Sequence, residues 1–126
     1  IEPGATSQSI GLRCARSGTA PRLSATDPVL GGSTRITATN GPAATAGFLI
    51  LGLRDGAPIG VLGCTLLVGT PLGWMPLTVP TAQGNLAVPN DPSLAGALIA
   101  VQAWYFPIDG SLAASASNGV YLTLGN

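Results

Sequence analysis

Histidine and lysine are both absent, and only five arginines and five acidic residues are spread over 126 positions. The missing histidine removes Ser-His-Asp and Cys-His catalysis at once. Formal net charge is zero, which argues against a nucleic-acid partner, since neutralising phosphates takes clustered Lys or Arg. No apolar run reaches the roughly 20 residues that a membrane-spanning helix needs, so the chain is not read as transmembrane. Aromatic residues are few, two each of Trp, Tyr and Phe. Acidic side chains are nowhere clustered, so a calcium site of six to eight oxygens has little to build on.

Apolar residues still make up 46% of the chain, beside 18 glycines and 11 prolines. Disorder couples low hydrophobicity to high charge, and this composition has neither. The length suits one domain with a core of its own. A surface without net charge also lacks the long-range repulsion that keeps copies of a protein apart.

The stretch at 94–106, Leu-Ala-Gly-Ala-Leu-Ile-Ala-Val-Gln-Ala-Trp-Tyr-Phe, has no charge and no proline, and turn residues bound it on both sides. Its β-branched and aromatic residues favour a pleated surface, so 97–106 is expected to be a central strand buried on both sides for part of its length. Residues 33–40 alternate, with Thr34, Ile36 and Ala38 facing one way, as a half-buried strand does. Residues 44–54 are almost continuously apolar and are expected to be an inner strand paired with 33–40. Shorter strands are expected at 10–14, 22–25, 64–68, 74–79, 83–88 and 120–124. Pro76 points to an edge position or a bulge for 74–79, because proline cannot donate to a ladder. Ser117-Asn118-Gly119 reads as a turn, and Asp91-Pro92 as the capped start of a single helical turn. Eight or nine short strands with Gly, Pro, Asn and Asp between them predict an all-β antiparallel sandwich, jelly-roll-like or another Greek key. Residues 1–9 form an N-terminal arm or edge strand, and 10–126 the sandwich domain.

Asp91 and Asp109 flank the long strand as an acid–base pair might be placed. Like Asp27 and Asp55, though, they stand beside a proline or glycine and read as turn and cap residues. No catalytic residue, metal ligand or cofactor is therefore assigned, and the chain is not read as an enzyme. Trp74, beside a glycine on an edge strand, is the candidate for an exposed aromatic contact, with Asn90, Asp109 and Asn118 as candidate polar contacts. Trp104 and Tyr105 are adjacent on a strand and point to opposite faces. Cys14 and Cys64 are either two buried thiols or a disulfide; glycine-rich flanks and the lack of a third metal ligand favour the bridge.

Several segments resemble a known family when taken in order. They are Gly11-Leu12-Arg13-Cys14, Gly63-Cys64 followed by Thr-Leu-Leu-Val, and Pro89-Asn90-Asp91-Pro92-Ser93-Leu94-Ala95-Gly96. Gln102-Ala103 in the long strand and Ser117-Asn118-Gly119-Val120 before a closing Leu-Thr-Leu-Gly complete the set. Together they resemble the small Gly/Pro-rich secreted β domain that recurs in extracellular proteins of planctomycetes and some myxobacteria, often at the C-terminal end of larger chains. The likeness runs from about residue 11 to 125, with Leu12-Arg13 standing where the family has a small residue and glycine. It implies export to the extracellular space or cell surface, a Cys14–Cys64 disulfide and an all-β fold, but no enzyme activity or ligand.

The expectation from all this is a secreted structural protein that self-assembles with copies of itself into a fibre, sheet or coat. Strand addition by the N-terminal arm, Ile1, Glu2, Pro3, Ser7 and Ser9, is the expected contact. The alternative is a carbohydrate- or surface-binding module that meets extracellular glycans through Trp74.

Overall fold

A computed structural model describes residues 5–10, 21–41, 45–54, 59–61, 64–79, 81–108 and 114–125. Among them are ten strands and one short 3-10 turn, with no helix long and apolar enough to cross a membrane. The strands are β1 (Thr6–Ile10), β2 (Arg22–Ala25), β3 (Ser33–Thr39), β4 (Thr45–Leu53), β5 (Ile59–Val61) and β6 (Cys64–Leu66). They continue with β7 (Pro71–Leu77), β8 (Ala82–Ala87), β9 (Leu98–Pro107) and β10 (Ser115–Thr123). Eight of them make two antiparallel sheets, β1-β10-β9-β4-β7 and β2-β3-β8, and β5 and β6 pair as a separate hairpin. The all-β expectation holds at this level: two sheets face each other over an apolar core, as in a β-sandwich.

The alternation in β3 does what its sequence predicts. Thr34, Ile36 and Ala38 are buried, while Ser33 and Arg35 are exposed. Ile36 and Ala38 meet Leu23 of β2, Leu49 of β4, Val101, Ala103 and Tyr105 of β9, and Val120 and Leu122 of β10 in the inter-sheet core. β9 is the central strand of the larger sheet and is buried on both faces from Ala100 to Tyr105. Trp104 and Phe106 enter a second cluster on the sheet's outer face, where Trp104 packs with Cys64, Ala114 and Ala116. Trp104 and Tyr105 are thus both core residues, in different cores.

Two sequence expectations need correcting, and a third falls partly outside the described residues. β4 does not pair with β3; it lies between β9 and β7, in register Gly47↔Tyr105 and Gly47↔Leu77. The reason is burial: an apolar run suits the larger sheet, where the second cluster covers part of the outer face, while half-polar β3 suits a sheet with one wet face. Ser117-Asn118-Gly119 is not a turn either. It lies inside β10, where the register shifts between Ala116 and Gly119. Side chains absorb this irregularity: Ala103 N–H donates to Ser117 Oγ at 2.9 Å, and Gln102 Nε2 donates to the Ser117 carbonyl at 2.9 Å.

The third concerns the cysteines. The expected Cys14–Cys64 bridge is not a bond between described residues, because Cys14 lies outside them and no disulfide joins two described positions. Cys64 itself is in the disulfide-bonded state and carries no free thiol. It is buried, with Sγ 3.6 Å from the Ala114 carbonyl oxygen.

Tyr105 gives a prediction of unusual sign. Its ring lies so close to Gly47 that a Cβ there would sit 2.8 Å from it, and its hydroxyl is buried with no hydrogen-bond partner. A buried hydroxyl without a partner costs about 1–3 kcal/mol. Tyr105→Phe should therefore raise stability by about 1 kcal/mol, seen as a higher urea midpoint at unchanged slope. Burial also raises the Tyr105 pKa above its ordinary value. In wild type the unfolded tyrosine then ionises first, so stability is level below pH ~10 and falls as pH rises towards the raised value. The Phe variant should lack that component of the fall.

Candidate functional site

A solvent-open apolar trough lies on the outer face of the five-stranded sheet. β4 sends Leu49 to the inter-sheet core, so its alternate residues Phe48 and Ile50 face outward. In register, Phe48 stands opposite Trp104 of β9 and Pro76 of β7, and Ile50 opposite Gln102 and Trp74. Four rings therefore adjoin across three strands. Trp104 stacks on Phe106 at 6.2 Å, Phe106 tilts against Phe48 at 6.3 Å, and Phe48 meets Trp74 edge to face at 5.4 Å. These are the separations at which aromatic pairs attract.

The row runs from interior to solvent. Trp104 is 2% exposed and Trp74 67%. Between them lies a shallow trough of about 500 Å³ lined by Phe48, Ile50, Leu72, Gly73, Trp74 and Phe106. No lining residue carries a charge, and the Trp74 indole N–H is the sole polar side-chain group in the set. One end of the trough abuts the Cys64 and Trp104 cluster, which Ile50 and Phe106 also join. The other end opens at β7, an edge strand, as Pro76 allows.

The candidate contacts do not converge. Trp74 is at the trough, as exposed as expected. Asn90 is exposed near the far end of the smaller sheet, where its side chain packs over the Gly31 turn. Asp109 lies outside the described residues. Asn118 is 5% exposed and structural. Its Oδ1 accepts the Leu23 N–H at 3.0 Å, while Nδ2 donates to the Leu23 carbonyl at 2.9 Å and to Ser9 Oγ at 2.8 Å. It is therefore corrected from a ligand contact to a latch between the sheets. Phe48, Ile50, Leu72 and Phe106 went unassigned in the sequence; the parity of Phe48 with Ile50 and of Trp104 with Phe106 was the available signal.

The described part of the arm is likewise engaged within the chain. β1 pairs with β10 from Thr6↔Thr123 to Ile10↔Gly119. Ser7 Oγ donates to the Ala25 carbonyl at 2.9 Å, and Ser9 Oγ holds Asn118. Ile1, Glu2 and Pro3 lie outside the described residues.

Asp91 caps the 3-10 turn Pro92–Leu94 as expected. Bonds from the Ser93 hydroxyl and then the Ser93 N–H hold its carboxyl below the usual aspartate range. Its oxygen thereby serves the turn. No group of three His, Cys, Asp or Glu side chains gathers among the described residues. Arg54 lies over the Tyr121 ring at 4.1 Å, a cation–π contact within the chain.

The chain matches no family model, no curated protein and no solved structure.

Proposed function

We propose that this protein is a structural subunit that self-assembles into an extracellular fibre, sheet or coat. The observation that carries the reading is the aromatic trough around Trp74. It is open to solvent, contiguous and almost without hydrogen-bonding side chains, on a chain with no net charge. Contiguous exposed apolar surface rimmed by polar residues marks association sites, and nothing in the charge balance opposes contact between copies. Export, a place at the cell surface and kinship with the planctomycete and myxobacterial β domains belong to the same proposal; they rest on the sequence resemblance. So does a Greek-key arrangement, which the repeated crossing of the chain between the two sheets supports. Strand addition by Ser7 and Ser9 is not retained, because β1 is already paired within its own sheet.

Glycan binding is the second reading, favoured by the exposure of Trp74 beside Gly73. A sugar site pairs its aromatic platform with well-placed polar groups, and Asn90 and Asn118 do not supply them here. One substitution separates the two. Trp74→Lys removes an exposed side chain and should change stability by only about 0.5 kcal/mol. Under the assembly reading, sedimentation velocity shows wild type growing with concentration and Trp74→Lys needing at least about tenfold more protein. A wild type that stays monomeric while Trp74→Ala abolishes glycan binding would replace assembly with the second reading.

A further inference from the structure

Among the described residues the smaller sheet ends on β8, whose outward residues Gln83, Asn85 and Ala87 are exposed. Among the described residues β8 pairs with β3 alone, in register Thr34↔Leu86, Ile36↔Gly84 and Ala38↔Ala82. Which backbone groups remain unpaired follows from the neighbours. Thr26 N–H donates to the Arg35 carbonyl, so Arg35 is directed at the β2 side, and alternation turns Thr34, Ile36 and Ala38 towards β8. Val88 N–H, bonded to the Gly32 carbonyl at 2.9 Å, continues the same set. Leu86, Gly84 and Ala82 therefore spend their backbone groups on β3. Those of Gln83, Asn85 and Ala87 point outward along the free edge.

Edges of this kind are normally blunted by charge, proline or a bulge. β7, the nearby edge of the larger sheet, carries Pro71 and Pro76; β8 reads Ala-Gln-Gly-Asn-Leu-Ala and has none of these devices. The sandwich is also open on this side. Three strands face five, and a cleft of about 180 Å³ between β7 and β8 reaches inward to Ile36 and Leu49. Met75 of β7, also lining the cleft, is 40% exposed. Gly84 forms a notch at its mouth: a Cβ there would meet nothing within 4 Å.

From these features we infer that β8 pairs antiparallel with β8 of a second copy across a two-fold axis, with Asn85 opposite Asn85 of the second copy and Leu86 opposite its Gly84. Three constraints fix this. A strand alone satisfies a row of outward N–H and C=O groups. Only registers that match odd-numbered residues with odd ones join the two outward rows. Of those, the register centred on Asn85 sets the largest side chain of the strand against the missing one, twice by symmetry. Each Leu86 then covers the other copy's open cleft mouth, and the two three-stranded sheets become one of six. The junction rests on the self-assembly reading and adds a contact distinct from the Trp74 trough. With the trough it gives each subunit two association surfaces, which growth beyond a dimer requires.

Two variants test the junction. Asn85→Cys should cross-link into dimers under mild oxidation, because hydrogen-bonded opposite residues stand about 5.5 Å apart at Cα, within disulfide range. Gln83→Cys, opposite Ala87, should not. Gly84→Val should fold like wild type, since its side chain enters open space, yet weaken association at least tenfold by occupying the place of the second copy's Leu86. The readouts are non-reducing gels and sedimentation velocity. Failure of Asn85→Cys to cross-link, or wild-type assembly by Gly84→Val, overturns the β8 junction while leaving self-assembly through the trough standing. A wild type that never associates overturns both.

Discussion

Gln102→Leu should lower stability by about 3–5 kcal/mol, among the largest effects of any single substitution in this chain. Gln102 is fully buried in the middle of β9, where an apolar residue would be expected. Its Oε1 accepts the Leu67 N–H at 3.0 Å and the Trp104 Nε1–H at 3.0 Å, while Nε2 serves the Ser117 carbonyl. Leucine keeps most of the volume and leaves all three partners buried without a bond, each a cost of about 1–3 kcal/mol. Against a total stability of roughly 5–15 kcal/mol, that is a large share. The urea midpoint reads it directly, and tryptophan emission should change as the Trp104 indole loses its acceptor. A loss under 1 kcal/mol would mean that the irregularity in β10 is supported by other groups.

The second large effect is at Asn118. Truncation to alanine strips the Leu23 N–H and carbonyl of their partner and frees Ser9 Oγ, so it should cost about 2–4 kcal/mol. The damage should also be local. Asn118 of β10 ties Ser9 of β1 to Leu23 of β2 across the two sheets, and the Ser7–Ala25 bond joins the same two strands. Hydrogen exchange should accordingly speed up in β1 and β2 more than in β4 or β9. Uniform acceleration across all strands would contradict the latch.

Both residues show where the sequence was readable and where it was not. The burial of β9 on both faces, the alternation of β3, the edge position of β7 and the Asp91-Pro92 cap were legible because each depends on local residue chemistry. Gln102 and Asn118 were not, because the backbone N–H groups they accept from, those of Leu67 and Leu23, lie 35 and 95 positions away. Asn118 carries the composition of a turn, yet a buried irregularity with side-chain partners uses the same residues. Partner choice for β4 was hidden for a related reason. An apolar run says that a strand is inside, not which strands flank it. The trough was half visible: Trp74 could be named, but its contact with Phe48 and Phe106 exists only once β7, β4 and β9 are in register.

The roles proposed for the trough at Trp74 and for the edge of β8 both depend on self-assembly. The direct measurement is negative-stain electron microscopy of the wild-type protein over a wide range of concentrations. The account predicts ordered filaments or sheets that lengthen with concentration and that Trp74→Lys suppresses. Single globular particles at every concentration would contradict it.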